Sequence, residues 1–256
     1  MIDRPYPPFR HGVAPATNLP LVQHNSLGSW DVFLSLFSSR AEGPPSSKGV
    51  LPSVSGFKSF APPVTRPRVA CYVSQNFLQR FAVLPSFPPA SETDDFMAFD
   101  FFTPQGGFGT NFPRFRIGNM YARPLSPHPH SVSPESALQN LDYPYLGAGD
   151  FNIHNAATNR SRLLTTKEDK ESTPYFDRAT DIGFPLLNTP GIYTRFPFTG
   201  THRPSAIDLA FANPHMFPAF HSWDASFLPC TGSDHAPILI FLRPLSTYND
   251  KPRPRW

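Results

Sequence analysis

Short apolar runs recur along this chain, separated by proline-rich connections, and this restricts the fold more than any other feature of the sequence. Candidate strands, most of them built on such runs, fall at residues 21–25, 57–60, 69–74, 81–84, 96–102, 115–121, 145–151, 206–212 and 237–242. Each has the length of a strand and is short for a helix. Helical spacing is rarer. Trp30, Phe33, Leu34 and Phe37 share one face of a helix over 29–40, with Ser29 placed to cap its first turn and Gly43-Pro44-Pro45 to end it. Further helices are expected over 135–141 and 173–183. Many strands and few helices, mixed along the chain, predict an α/β domain with a two-sheet core and helices outside.

Composition narrows the class. The chain has 256 residues, enough for one large domain, with 39% hydrophobic and 16% charged residues. So low a charged fraction argues against charge-driven disorder, and the 33 prolines belong to loops. A net charge of +3 permits a nucleic-acid partner without demanding one. Two cysteines make no disulfide framework, and Cys71 sits in an apolar run as a core residue. Prolines in the first twenty residues break any signal-peptide apolar stretch, and no apolar run reaches membrane-spanning length. The expectation is a nuclear or cytoplasmic protein, not secreted, without a membrane partner and acting as a monomer. Residues 1–20 read as an irregular lead-in, 21–243 as the folded domain and 244–256 as a basic, disordered tail.

Several short motifs carry chemistry. In Gly149-Asp150-Phe151-Asn152 an apolar strand ends in a carboxylate and a carboxamide two apart, hence on one face. Such a pair can hold a hydrated metal and a phosphate oxygen, although Gly-Asp-x-Asn also makes plain turns. Ser233-Asp234-His235 enters the last strand and can supply a metal ligand and an acid/base, or simply a loop histidine bonded to its neighbour. Asp208 stands inside the apolar run of Ser205-Ala206-Ile207-Asp208-Leu209, where a carboxylate is costly unless paired. His235 is its natural partner. Gln23-His24-Asn25 ends the first run, and Asn119-Met120-Tyr121-Ala122-Arg123-Pro124 ends a middle one with a tyrosine placed to point inward.

The order of these motifs resembles the endonuclease/exonuclease/phosphatase superfamily, and within it the endonucleases of non-long-terminal-repeat retrotransposons, particularly fungal ones. The resemblance runs from about Leu21 to Leu242. It implies a two-sheet, four-layer sandwich of the deoxyribonuclease I-like type, with the active site at one edge where strand ends meet. It also implies roles. Asn25 and Asp234 would belong to the metal site, and Tyr121 would contact the scissile phosphate. Asp150 would position or deprotonate the attacking water, and Asn152 would orient a phosphate oxygen. His235 would stabilise the pentacovalent phosphate while Asp208 orients its ring. The implied cofactor is Mg²⁺ or Mn²⁺ and the implied partner DNA, its backbone met by Arg114, Arg116, Arg123, Arg203 and the C-terminal arginines.

One departure counts against full activity. Family members carry a core strand after the first helix that ends in Gln and a metal-binding acid. Here the helix runs into Ala41-Glu42-Gly43-Pro44-Pro45-Ser46, with no apolar strand and no Gln-acid pair. Glu42 is the sole carboxylate between Arg40 and Phe60. The expectation is a fold lacking that core strand and a metal that binds weakly. Three readings stay open: a DNA-nicking endonuclease impaired by the gap, an inactive relic that keeps the fold, and a phosphoesterase of small phosphate esters.

Overall fold

The computed structural model describes residues 53, 55–62, 69–79, 81–86, 95–102, 114–122, 132–159, 166–197, 203–225, 234–236 and 238–242. The strand expected at 21–25, the helix expected at 29–40, the lead-in, the basic tail, Asn25 and Glu42 all lie outside them.

The centre is a five-stranded mixed sheet in the order β3-β4-β5-β6-β7. Its strands are β3 (Ala82–Ser86), β4 (Phe96–Phe102), β5 (Arg114–Tyr121), β6 (Tyr145–Asp150) and β7 (Asp208–Ala212). All pair antiparallel except β5 with β6, which is parallel. The β5–β6 connection carries a short helix, α2 (Pro134–Ala137). Two smaller sheets, β1 (Phe57–Phe60) with β2 (Cys71–Ser74) and β8 (Phe220–Asp224) with β9 (Leu239–Leu242), complete the strands described.

Alternation along each central strand feeds two cores. Met97, Phe99, Phe101, Ile117, Leu146, Ala148, Ala210 and Ala212 pack with Cys71, Val73, Trp223 and Ile238, from the regions of the small sheets. The intervening Phe96, Ala98, Met120, Tyr145, Leu209 and Phe211 pack with Ala137, Tyr175 and Ala179 of the helices. Both faces of the central sheet are thus covered, which is why β4, β6 and β7 read as near-continuous apolar runs.

Most strand expectations agree with these bounds, and the differences have physical causes. The strand β8 contains His221, Ser222 and Asp224 and pairs on one side with a register irregularity, so it lacks an apolar run. A short helix, α1 (Gln75–Leu78), follows β2 where the sequence reading assigns no element; Ser74 caps it by accepting from the Phe77 N–H at 3.1 Å. The expected helix 135–141 is cut to α2, because Leu138 leaves helical dihedrals. The helix α3 (Thr166–Asp181) begins earlier than 173, with Pro174 inside it. Pro174 breaks one backbone hydrogen bond, yet its side is exposed while Ser172, Tyr175 and Ala179 are buried. Gly183 then ends the helix at φ +68°, and Phe184 N–H reaches back to the Ala179 carbonyl at 2.7 Å.

Candidate active site

The ends of β5, β6 and β7 place three polar side chains in one row. Tyr121 pairs in register with Asp150, and Asp150 with Asp208. Ala148 and Ala210, two residues inward on their strands, belong to the core between the sheets, so Asp150 and Asp208 point to that same face at its rim. Both carboxylates are buried. Neighbouring antiparallel residues stand about 5 Å apart at Cα, so the two acids are near neighbours.

The loop after β6 is built to aim Asp150. Gly149 has φ +151°, and a Cβ there would overlap the Met120 carbonyl of β5, so only glycine lets the strands approach this closely. Asn152 adopts φ +48°, a left-handed conformation that asparagine tolerates better than most residues. Its N–H donates to Asp150 Oδ1 at 2.9 Å, and its side-chain Nδ2 donates to the Ala122 carbonyl at 2.7 Å. The carboxamide that the sequence reading assigns to a phosphate oxygen therefore also ties the ends of β5 and β6 together.

His235 meets Asp208 directly. Its Nδ1 lies 3.0 Å from Asp208 Oδ1 and 2.9 Å from Oδ2. The segment that carries it is held by Thr194 and Arg195, which form a short extended bridge between residue 205 and residue 235. Ala236 N–H donates to the Thr194 carbonyl at 2.7 Å, and Phe196 N–H donates to the Asp234 carbonyl at 2.6 Å. The buried Thr194 hydroxyl accepts from the N–H groups of Ile207 and Asp208 at 3.2 and 3.0 Å, which fixes the backbone beneath the carboxylate. On the other side Asn188 bonds the Asp208 carbonyl and the Ala210 N–H, each at 2.9 Å, in place of a strand neighbour. Asn159, fully buried, does the same for Ala206.

The electrostatics follow from burial and proximity. Burial, then the charge of Asp208, pushes the Asp150 carboxyl up to about 8 against the opposing pull of His235 and the Asn152 N–H. Burial alone would pull His235 down. The hydrogen bond to Asp208 and the charges of Asp208, Asp150 and Asp234 outweigh it and push the imidazole up to about 9. At neutral pH the ring is therefore an imidazolium, with Nε2 as its outer donor.

Asp150, Asp208 and His235 offer ligand atoms within 4.8 Å of one another, and among the described residues this is the group with metal-ligand spacing. Two adjacent buried carboxylates suit a divalent cation, which would relieve the repulsion that raises Asp150, while the imidazolium of His235 stays bonded to Asp208. Asp234 stands apart from that group: its Oδ2 accepts from Arg195 Nε at 3.0 Å and its Oδ1 lies 3.7 Å from His235 Nε2. Arg195 and Thr194 are site residues that the sequence reading misses. The pairing need of Asp208 points to His235, but nothing in Tyr193-Thr194-Arg195-Phe196 sets it apart from other loop residues.

Tyr121 is half-buried and packs at the edge of the inner core, beside Asp150 in the row. Asn25 lies outside the described residues, as does Arg123. Arg203 is exposed. Two proposed phosphate contacts belong elsewhere. Arg116 forms a two-pronged ion pair with buried Asp100, at 2.9 and 2.6 Å, and Arg114 bonds the same carboxylate while lying 4.1 Å from the Tyr143 ring centroid. They occupy the far end of β5 from Tyr121, roughly 15–25 Å away at about 3.3 Å per residue. A carboxylate inside an apolar strand needs a cation, and Asp100 takes both.

No protein-family model matches the chain, and no curated protein matches its sequence. Solved structures do. The endonuclease domain of TRAS1, a telomere-specific non-LTR retrotransposon, superposes with a TM-score of 0.52 at 15% identity, over 74% of this chain and 81% of that one. The AP endonuclease LMAP from Leishmania major superposes with a TM-score of 0.54 at 13% identity, over 75% of this chain and 72% of that one. At such identities the likeness speaks for the backbone arrangement, which agrees with the central mixed sheet and its flanking layers. The chain has a deoxyribonuclease I-like fold, shared with these two nucleases.

Proposed function

We propose that the chain is a metal-dependent phosphodiester hydrolase that nicks DNA in the manner of a retrotransposon endonuclease, and does so slowly. The observation that carries this reading is the row Tyr121–Asp150–Asp208 with His235 bonded to Asp208, at the strand-end edge of the sheet. Asp150 takes a proton from water as the water oxygen bonds to phosphorus. The bond from phosphorus to the 3′ oxygen breaks and that oxygen takes up a proton from solvent, to which Asp150 returns the one it accepted, leaving a 5′-phosphate and a 3′-hydroxyl. His235, held as imidazolium by Asp208, donates from Nε2 to the phosphate oxygen on which charge develops. Asp208 fixes the ring's tautomer and orientation. Tyr121 lines the same row for the phosphate. Asp150 and Asp208, with His235 beside them, would hold the cation, which when bound neutralises the phosphate and the leaving oxygen. Mg²⁺ or Mn²⁺ suits these oxygen-rich donors. The slow rate follows from Glu42 being the sole acid between Arg40 and Phe60, before a Gly-Pro-Pro break.

End analysis of cleaved, labelled duplex DNA tests the reading. Products with 5′-phosphate and 3′-hydroxyl ends, lost in His235→Ala, support it. Turnover of a small phosphomonoester with none of DNA would move the chain to the phosphoesterases instead.

A further inference from the structure

Asp234 would be expected to serve a cation, but its two oxygens are otherwise engaged. Oδ2 accepts from Arg195 Nε at 3.0 Å, and Oδ1 faces His235 Nε2 at 3.7 Å. Arg195 is itself tightly placed. Its N–H donates to the Ser205 carbonyl at 2.8 Å, Ser205 N–H donates back to its carbonyl at 3.0 Å, and it bridges to residue 235 on its other side. The strand leading to Asp208 and the segment carrying His235 thus both pair with the backbone of one arginine whose side chain takes the neighbouring acid.

We propose that Arg195 is a positioning residue that reserves Asp234 for His235 and withholds it from the divalent cation. To ligate a metal through Oδ2, Asp234 would have to give up a charge-assisted hydrogen bond, and the guanidinium would repel a cation brought that close. Asp234 therefore acts on the imidazolium as a nearby negative charge, 3.7 Å from the Nε2 that serves the phosphate, while Asp208 holds Nδ1, and the cation is left to Asp150 and Asp208. This inference rests on the metal-dependent reading above.

A double-mutant cycle read by Mn²⁺ affinity of the full chain, without DNA or turnover, tests it. Arg195→Gln should tighten Mn²⁺ binding about tenfold, because it frees Asp234 and removes a repelling charge. Adding Asp234→Asn to that variant should abolish the gain and cost about a hundredfold, whereas Asp234→Asn alone should cost about tenfold or less. Arg195→Lys should restore affinity close to that of the unaltered chain. Arg195→Met, which keeps the stem of the side chain, serves the same cycle if Arg195→Gln does not fold. Equal costs of Asp234→Asn with and without Arg195 would overturn the proposal, as would unchanged affinity in Arg195→Gln and Arg195→Met, or no Mn²⁺ binding in any of them. The two readings fail separately: the expected affinities without any DNA cleavage would sink the hydrolase reading and leave this one standing.

Discussion

His235 lies between two carboxylates, Asp208 at 2.9 Å and Asp234 at 3.7 Å, and its protonation decides what the site can do. The proposed mechanism needs His235 protonated and Asp150 ionised. With His235 up at about 9 and Asp150 up at about 8, cleavage at low cation concentration is expected to rise as pH passes 8 and to fall above 9. More divalent cation should move the lower limb down, since a positive charge beside Asp150 favours its ionised form. A rate independent of pH from 6 to 10 would remove both residues from the chemistry. The same shifts bear on stability. Both folded values lie above the unfolded ones, so each group contributes stability that is complete below its unfolded value and lost as pH rises through its folded value. The windows run from 6.5 to about 9 for His235 and from 3.8 to about 8 for Asp150. The metal-free chain should therefore lose roughly 3–5 kcal/mol between pH 6.5 and 9, measured by urea unfolding. His235→Gln should flatten that slope, and a chain that grew more stable over the interval would contradict the geometry.

Among the elements, β6 and α3 show what the site costs the fold. The backbone of Gly149 turns at φ +151° against β5 to deliver Asp150. Gly149→Ala is expected to destabilise the chain by about 2–4 kcal/mol and to displace Asp150, seen as a lower midpoint in urea together with lost Mn²⁺ binding. Pro174 is the opposite case, an exposed proline inside a helix whose buried face carries Tyr175 and Ala179. Pro174→Ala should stabilise by about 1–3 kcal/mol, and a loss of stability would show that the proline is shaped to its surroundings. These elements also show how far the sequence is readable. The bounds of β4 follow from an apolar run, and the meeting of Asp208 with His235 follows from the cost of an unpaired acid in an apolar strand. The start of α3 does not, because proline reads as a helix beginning and only packing overrules it. Neither does β8, whose polar residues hide a strand defined by its partner β9. Arg195 and the strand-mimicking Asn188 and Asn159 are equally silent, since their roles depend on segments that only the fold brings near.

Over the whole molecule, the site sits at one end of the central sheet and the Arg114–Arg116–Asp100 cluster at the other, so the net charge of +3 is not gathered as one basic face on β5. DNA binding should fall with salt, with a slope near the number of phosphates neutralised. Arg203→Ala should reduce that slope by about one, and a slope unchanged in that variant would place the contact elsewhere. Placing an apolar strand ending in Gln-Glu after Pro45 should raise cleavage, because the acid missing from that segment would be restored. The most direct test of the central claim is conversion of supercoiled plasmid to nicked circles by the purified chain with Mg²⁺. Slow nicking that stops on chelation and is absent in Asp150→Ala and His235→Ala is the expected result. Nicking that persists in Asp150→Ala, or that proceeds undiminished in chelator, would contradict it.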